Sequence, residues 1–416
     1  MTLPRLRLRL PDRLLVATAV TGVVGGLVGA AYVAALTQLR RVLWPDHWSR
    51  GAHWLLLIGV GALIAGLFRI LGEAGDTELL VDNIHVQGGD PELRSLRSLV
   101  PVSLLGIAVG GGIGPEAPLT QTTGTLGSWV GSRFGLSPTD LRTCTITGMA
   151  AGFTVLFAAP LGGAVFALEI LHRKGLEYYE ALVPAAIGAV TGYVVYAVVT
   201  GWGLHPIWRF PAAPTSLRLA DLGWAVVCGV GGAVVAAAFT GATLLFRTLF
   251  RPVPRSVRPI LAGALLGAVA YVSPYALTFS ELQLGHLTTV PKVAVATLLL
   301  AVLGHLLSAP ITMAGEWKGG FIIPLFFIGY CLGRAVHGWL PGTDEVVLVT
   351  ALMVACNVGV TKTPLGSTLV VAGMAGMRLL PTLLIAALVS LLLTSGVSLL
   401  DSQRSRDLPH PAGASS

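Results

Sequence analysis

Residues 109–121 read Val-Gly-Gly-Gly-Ile-Gly-Pro-Glu-Ala-Pro-Leu-Thr-Gln, with apolar sequence on both sides. The glycines lie where a membrane-spanning helix would break, and Pro118 suits the first turn of a new helix. A helix that begins here would direct its free backbone N–H groups and the positive end of its dipole toward an anion. Glu116, between Pro115 and Pro118, is an acid at membrane depth, and such acids are costly and commonly functional. The alternative is that the glycines only let helices pack closely and that Glu116 forms a salt bridge.

The composition is that of a membrane protein with several spans. The 416 residues are 54% hydrophobic and only 11% charged, whereas globular proteins carry about 25% charged residues. The 52 glycines favour close packing and broken helices. The net charge of +7 sets membrane orientation more than it attracts nucleic acid.

No enzyme, metal or cofactor is indicated by the sequence. Cysteine residues are isolated in apolar sequence, so buried free thiols are expected: they are Cys144, Cys228, Cys331 and Cys356. No HExxH or Cys/His cluster occurs. His305 and Ser308 invite comparison with an intramembrane hydrolase, but no other triad element accompanies them, so helix packing is the better interpretation.

Apolar runs predict an all-α protein. We expect helices at about 14–37, 54–72, 98–113, 116–129, 140–158, 160–171, 181–200, 219–247, 259–278, 290–308, 322–340, 345–360 and 364–400, the last being two helices. The domain prediction is a cytoplasmic basic amino terminus (1–13), a first repeat (14–200), a midpoint linker (201–218), a second repeat (219–400) and a short cytoplasmic tail (401–416), with no regulatory domain after the pore.

Basic residues predict that both termini are cytoplasmic. Arginines precede the first span, which we interpret as a retained helix and not a signal peptide because its apolar run continues to about Ala35. The basic segments 172–174 and 247–258 agree with this orientation. The loop after the first span would be external in this orientation. Its basic residues Arg40, Arg41 and Arg50 count against that position.

The two halves of the chain echo each other. The stretch from Gly114 to Leu119 matches that from Gly320 to Leu325, an offset of 206 residues (114 to 320). Pro160-Leu-Gly recurs as Pro364-Leu-Gly, an offset of 204 residues (160 to 364). Paired Gly/Pro-broken segments in corresponding halves point to a transporter binding site at the membrane midplane. Two helix amino termini meeting there would favour an anion.

These motifs resemble the CLC family of chloride channels and proton-coupled anion transporters over about residues 14–405. GIGPEAP is similar to the family's Gly-x-Glu-Gly-Pro motif, with Ala117 replacing a glycine, and 319–324 is similar to Gly-Gly-x-Phe-x-Pro, with Ile322 replacing the phenylalanine. Residues 159–169 and 397–403 resemble two further family helices. The resemblance implies an inverted repeat with re-entrant helices, a homodimer, and a pathway for a small inorganic anion coupled to or independent of protons.

The resemblance also implies roles for individual residues. Glu116 would be the gating and proton-binding glutamate. The anion-binding positions would be Gly114, Ala117, Gly320, Phe321, Ile322 and Thr77, with the backbone N–H groups of Phe321 and Ile322 lining the central site.

Three positions depart from the family pattern. Gly75-Asp76-Thr77-Glu78 replaces the motif that carries the anion-coordinating serine, Leu400 replaces the pore tyrosine, and Ile170 replaces the inner proton-accepting glutamate. Glu169 next to Ile170 is either a structural salt-bridge partner of the 172–174 segment or a substitute proton acceptor. Glu316 and Lys318 either pair with each other or shape an anion entrance.

Three functions are compatible with this sequence. A CLC-type anion channel or anion/proton antiporter in the cell membrane is favoured, and chloride, nitrate and fluoride are all open. A proton- or cation-coupled carrier of another solute would prefer several intramembrane acids, whereas this chain offers chiefly Glu116. A transport-inactive scaffold is suggested only by the missing serine and tyrosine.

Overall fold

The computed structural model describes residues 13–72, 74, 93–172, 178–201, 208, 210–211, 213–290, 292–397, 399 and 403. These residues form α-helices joined by short turns, as predicted. In chain order they are α1 Arg13–Leu43, α2 Arg50–Leu71, α3 Leu93–Val109, α4 Glu116–Arg133, α5 Pro138–Phe157, α6 Pro160–Glu169, α7 Leu182–Thr200, α8 Leu219–Phe250, α9 Arg258–Val272, α10 Glu281–Leu287, α11 Val295–Ala314, α12 Ile322–Trp339, α13 Glu345–Thr361, α14 Pro364–Ala375 and α15 Leu380–Leu393.

Six helical segments in the described residues are long and apolar enough to cross a membrane. They are Arg13–His47, Arg50–Leu71, Tyr179–Thr200, Leu219–Phe250, Val295–Ala314 and Ile322–Trp339. The remaining apolar helices are shorter, and short helices at membrane depth are tolerated only where protein covers their ends. The fold is therefore that of a membrane protein with broken helices.

Some of the helices start where the sequence supplies a capping side chain. Ser137 precedes α5, and its hydroxyl accepts a hydrogen bond from the backbone N–H of Asp140 (3.2 Å). Asp344 does the same for α13 through the N–H of Val347 (3.0 Å). These side chains satisfy donors that the first helical turn leaves free.

The structure corrects two predicted segments. The run 98–113 is helical only to Val109, because Gly110 has a φ of +117°, which L-residues rarely adopt. The run 259–278 ends as a helix at Val272 and continues into a 3₁₀ turn at Pro274–Ala276. The sequence analysis missed α10 altogether. The prediction that 364–400 holds two helices is confirmed, since Gly376 (φ +121°) separates them.

Corresponding helices follow one another in the same order in both halves. Helices α4 and α12 each contain 18 residues and begin 206 residues apart (116 to 322). The C-caps of α5 and α13 also correspond: Ala158 and Lys362 both adopt the left-handed conformation, with φ values of +53° and +61°. The described helices therefore repeat, as the sequence offset predicted.

Glycines bring these helices into direct backbone contact. A Cβ added at Gly329 of α12 would lie 2.6 Å from the carbonyl oxygen of Leu352 in α13. A Cβ added at Gly148 in α5 would likewise overlap the backbone of Thr123 in α4. Small residues at such crossings are typical of membrane helix packing. The four cysteines, for their part, are buried free thiols, as predicted.

Helices α6 and α14 pack against each other in opposite directions, and Glu169 joins them. Its carboxylate accepts hydrogen bonds from the backbone N–H groups of Leu365 (3.1 Å) and Gly366 (2.6 Å) at the start of α14. At the other end of the pair, a Cβ on Gly373 would lie 3.4 Å from Ala159. Glu169 is thus an amino-terminal cap for a helix of the opposite half. Of the 172–174 segment predicted to hold a salt-bridge partner for Glu169, Arg173 and Lys174 lie outside the described residues.

Replacing Gly329 with alanine is expected to destabilise the protein. The added methyl group overlaps the Leu352 backbone, and overpacking of this kind typically costs about 1–3 kcal/mol. The melting temperature of purified protein in detergent should fall. Gly241→Ala is the control, because nothing lies within 4 Å of its added Cβ, and its melting temperature should equal or exceed that of the wild type, since alanine favours a helix over glycine. Equal effects of the two changes would contradict the backbone contact.

Substitution of Glu169 separates a cap from a proton acceptor. Glu169→Ala leaves two buried N–H groups without acceptors, at a cost of about 1–3 kcal/mol each, so the melting temperature should drop. Glu169→Gln retains one acceptor oxygen and should lose less. A cap predicts that the number of protons moved per anion is unchanged in the glutamine variant. Loss of proton movement without loss of stability would instead identify a proton acceptor.

Candidate functional site

Glu116 is the first residue of α4, and its side chain is completely buried. Its Oε1 accepts a hydrogen bond from the backbone N–H of Ile323 (3.0 Å), in the first turn of α12. The backbone N–H of Ile322 also interacts with this carboxylate. No hydrogen-bond partner for Oε2 occurs in the described part of the chain. The acid of one half therefore occupies the amino terminus of a helix of the other half.

Two glycines make the space for this carboxylate. A Cβ added at Gly114 would collide with Oε2 of Glu116, and one added at Gly320 would lie 2.6 Å from Cδ. Any side chain at either position would displace the carboxylate. Glycine is required here by the close approach of the backbone to the acid.

The same two glycines connect the halves of the protein. The N–H of Gly114 donates to the carbonyl of Gly320, and the N–H of Gly320 donates to the carbonyl of Gly114, each at 2.7 Å. This antiparallel bridge joins residues that are equivalent under the 206-residue offset. It holds the starts of α4 and α12 next to each other, as the sequence analysis predicted for two helix amino termini.

This geometry creates a place for an anion. Free N–H groups and the positive ends of two helix dipoles converge where the Glu116 carboxylate now lies. A carboxylate carries the charge and the acceptor oxygens of a small anion, so the two compete for the same donors. The alternative salt bridge for Glu116 is not found among the described residues, where its contacts are backbone N–H groups.

The structure brings most of the predicted anion-binding positions together. Gly114, Gly320 and Ile322 contact or flank the Glu116 carboxylate, and Ala117 follows it in the first turn of α4. Phe321 caps α12 and places its ring 5.9 Å from that of Phe239. Other predicted positions, namely Asp76, Thr77 and Leu400, lie outside the described residues.

Sequence reasoning missed one donor to this carboxylate, the backbone N–H of Ile323. The resemblance to the family motif pointed to Phe321 and Ile322, because a motif does not show at which residue the helix begins. In an α-helix, the N–H groups of the first turn all lack internal acceptors. The signal for Ile323 was therefore its position one residue into the helix.

At Ile170 the backbone makes the polar contact. Ile170 is buried at the end of α6, and its carbonyl oxygen accepts a hydrogen bond from the Gln403 side chain (3.0 Å). The same amide donates to the carbonyl of Thr361 (2.8 Å). An isoleucine side chain cannot hold a proton, so the polar groups that the described residues place at this position are backbone carbonyls and the Gln403 amide.

Two other candidates have structural partners. Glu316 forms an ion pair with Arg258 (2.6 Å) and lies 3.9 Å from Arg255, so its partners come from the basic 247–258 segment and the predicted pairing with Lys318 is not what anchors it. His305 is buried and hydrogen-bonds the hydroxyl of Ser280 at 2.5 Å. Ser308 faces Gly112. The packing interpretation of His305 is confirmed.

Comparison with known proteins agrees with this geometry. The family described as "Voltage gated chloride channel" matches residues 72–395. A "Chloride/fluoride channel protein" of Pseudomonas syringae pv. tomato is 28% identical over 409 residues, covering 93% of this chain and 86% of the relative. An "H(+)/Cl(-) exchange transporter" of Yersinia pseudotuberculosis is 26% identical over 351 residues, covering 78% and 71%.

Two solved structures share the fold. A CLC-type fluoride/proton antiporter superposes with a TM-score of 0.80 at 21% identity, covering 94% of this chain and 97% of the other. A slow cyanobacterial Cl⁻/H⁺ antiporter gives a TM-score of 0.79, again at 21% identity, covering 94% and 96%. The family comprises channels and transporters, which confirms that the chain is no enzyme.

The family match extends over more than half of the sequence, includes both glycine-broken segments around Glu116, and coincides with the inverted repeat of helices. The chain is a member of the CLC family of voltage-gated chloride channels and anion transporters.

Proposed function

We propose that this protein moves small inorganic anions across the membrane along a path in which Glu116 is the gate. The observation that carries the proposal is the buried Glu116 carboxylate, held by the N–H of Ile323 at the meeting point of α4 and α12. Helix amino termini attract anions, and a carboxylate placed there excludes other anions while it stays.

Protonation of the Glu116 carboxylate determines how anion entry depends on pH. An ionised carboxylate is a strong acceptor for the N–H donors, whereas a protonated one is weaker and carries no charge. Oε2, which has no hydrogen-bond partner in the described residues, is the oxygen that can take a proton without losing a bond. Lower pH should therefore release the side chain and favour anion entry.

Competition at one site also links anion and proton movement. When an anion occupies the donors, Glu116 is displaced and can exchange its proton; when the anion leaves, the ionised side chain returns. This logic serves an antiporter, and it serves a channel if anions pass faster than the side chain cycles. Relatives named as an exchange transporter and as a channel protein are both found.

The identity of the anion is part of the proposal. Chloride, fluoride and nitrate each fit a site formed by backbone N–H groups, which do not depend on one ion's shape. Relatives and structural neighbours are named for chloride and for fluoride. The replacement of the family's pore tyrosine by Leu400 removes one side-chain donor, so the backbone contributes a larger share of anion binding in this chain.

Glu116→Gln is the decisive change. Glutamine keeps the side-chain volume but cannot ionise, so anion efflux from liposomes should lose its pH dependence and any coupled proton movement. External pH and anion efflux are recorded together, with chloride, fluoride and nitrate in turn. Glu180→Gln is the matched control, because Glu180 is exposed on a 3₁₀ turn and its loss should change neither property.

The results divide the remaining alternatives. Wild-type efflux with opposite proton movement identifies an antiporter, and efflux without it identifies a channel. Unchanged pH-dependent efflux in Glu116→Gln would sink the gating role. Absence of flux for every anion would favour the carrier of another solute or the inactive scaffold.

Assembly and orientation complete the proposal. We infer a homodimer in the cell membrane with one pathway per subunit, both termini in the cytoplasm, and repeats at 14–200 and 219–400. The support is the family resemblance and the placement of basic residues. Exposed apolar side chains such as Val198 on α7 and Leu392 on α15 provide faces for lipid or for a partner subunit.

The dimer is tested by mass. One chain weighs 43.2 kDa, so light scattering of the detergent-solubilised protein, corrected for bound detergent, should give about twice this value. Val198→Trp, a bulky change on an exposed face of α7, should shift the mass toward the monomer if that face is the interface. A monomeric wild type would contradict the dimer and leave the pathway within each chain unaffected.

A further inference from the structure

Arg40 lies in the last turn of α1, at the opposite end of this helix from Arg13. At about 1.5 Å of rise per residue, the helix separates the two arginines by roughly 40 Å, which is enough to cross the membrane. Arginine on this side is unexpected if the amino terminus is cytoplasmic. Its surroundings explain why it is retained.

Arg40 is held on three sides. Both Nη atoms contact one oxygen of Glu281, at 3.3 and 3.4 Å. The guanidinium also lies over the ring of Phe279, 4.5 Å from the centroid, and over that of Trp44, 5.2 Å away. Aromatic faces attract a guanidinium and shield it from water. The side chain is 13% exposed and that of Glu281 is 33% exposed, so solvent reaches the ion pair.

The donors of Arg40 are incompletely used. A guanidinium has five N–H groups that suit a two-oxygen acceptor, but here a single carboxylate oxygen receives two long contacts. Nε is buried and has no hydrogen-bond partner in the described residues. Glu281 is therefore a weakly bound occupant of an arginine that has donors to spare.

Two contacts join this pair to the segment that precedes Glu116. On α1, the hydroxyl of Tyr32 is hydrogen-bonded to Ser103 of α3 at 2.8 Å, and α3 leads to the glycines before Glu116. The backbone preceding Glu116 also meets this region, because the N–H of Thr278 donates to the carbonyl of Gly110 (2.8 Å).

We propose that Arg40 forms a second binding site for the transported anion, at the mouth of the pathway opposite the amino terminus, and that the Glu281 carboxylate competes with the anion for it. The inference rests on the proposed function and adds a capture step before Glu116. At each site a carboxylate takes the place of the anion when none is bound. Glu281 then contacts the Arg40 guanidinium, and Glu116 contacts the backbone N–H groups of α12.

The physical basis is a balance of charge at the entrance. A cation near a pathway raises the local concentration of anions and their entry rate, and salt screens this effect. Glu281 offsets that charge while it stays paired. Displacement of a partly exposed, single-oxygen contact with long distances costs less than displacement of a fully buried, two-oxygen ion pair. The site can therefore load and unload rapidly.

The test is the anion concentration that gives half-maximal uptake into liposomes. Arg40→Gln should raise this concentration several-fold and leave the maximal rate near wild type. Arg40→Lys should restore part of the affinity, because lysine keeps the charge but not the planar fork. Glu281→Gln should lower it several-fold by removing the competitor. The differences should shrink as ionic strength is raised with an impermeant salt.

Opposite shifts in the two charge variants separate a binding site from a structural ion pair. If Arg40→Gln and Glu281→Gln both lower the maximal rate and the melting temperature with no shift in half-saturation, the pair is structural and the proposal is wrong. Arg69→Gln is the control, because Arg69 is exposed in the last turn of α2, and it should behave as wild type.

A transport-independent measurement keeps the two proposals distinct. Crystals soaked in bromide should show an anomalous peak within contact distance of the Arg40 guanidinium in wild type and none in Arg40→Gln. A wild-type protein with no flux but with this peak would remove the proposed function and keep the site. Normal flux with the same half-saturation concentration in all variants, and no bromide peak, would keep the proposed function and remove the Arg40 site.

Discussion

Two hydrogen bonds between Gly114 and Gly320 hold the centre of this protein together. They join equivalent points of the two repeats and fix the starts of α4 and α12 at one place in the membrane. Both residues must lack side chains, since a Cβ at either would strike Glu116. The bridge, the glycines and the buried acid are therefore a single structural unit. Each helix can begin at membrane depth because the other half of the protein covers its amino terminus.

The acids break the symmetry of the repeats. Glu116 binds the start of α12, and Glu169 binds the start of α14, so both belong to the first half and reach into the second. Their equivalents by sequence offset are Ile322 and Gly373, which carry no charge. An exact two-fold repeat would place two carboxylates at the centre, where they would repel each other. Loss of one leaves a single site with donors from both halves.

The two acids differ in how completely they are bound. Both oxygens of Glu169 accept backbone N–H groups, and a buried acid with satisfied oxygens has little reason to move. Glu116 has one bonded oxygen and one without a partner in the described chain. Release of Glu116 would therefore break fewer hydrogen bonds, which suits the proposed gating role. Ile170, the neighbour of Glu169, has only its carbonyl engaged by Gln403.

The sequence alone determined that the chain is a helical membrane protein with a repeated, glycine-broken centre. The length of the apolar runs, the 206-residue offset and the isolated acid at Glu116 are local or periodic properties of the chain. They can be interpreted without knowing which distant residues are in contact. Helix ends were less certain where a glycine conformation or a 3₁₀ turn decided them, as at Gly110 and Pro274–Ala276.

Tertiary structure decided which groups meet. The donor from Ile323, the capping role of Glu169 and the contact of Arg40 with Glu281 join residues that are 207, about 196 and 241 positions apart. No local pattern in the sequence encodes such pairs, because each depends on how the packed helices are rotated and how far they slide along one another. The residue types that can bind an anion can thus be identified from the sequence, whereas their convergence on one point follows from helix packing.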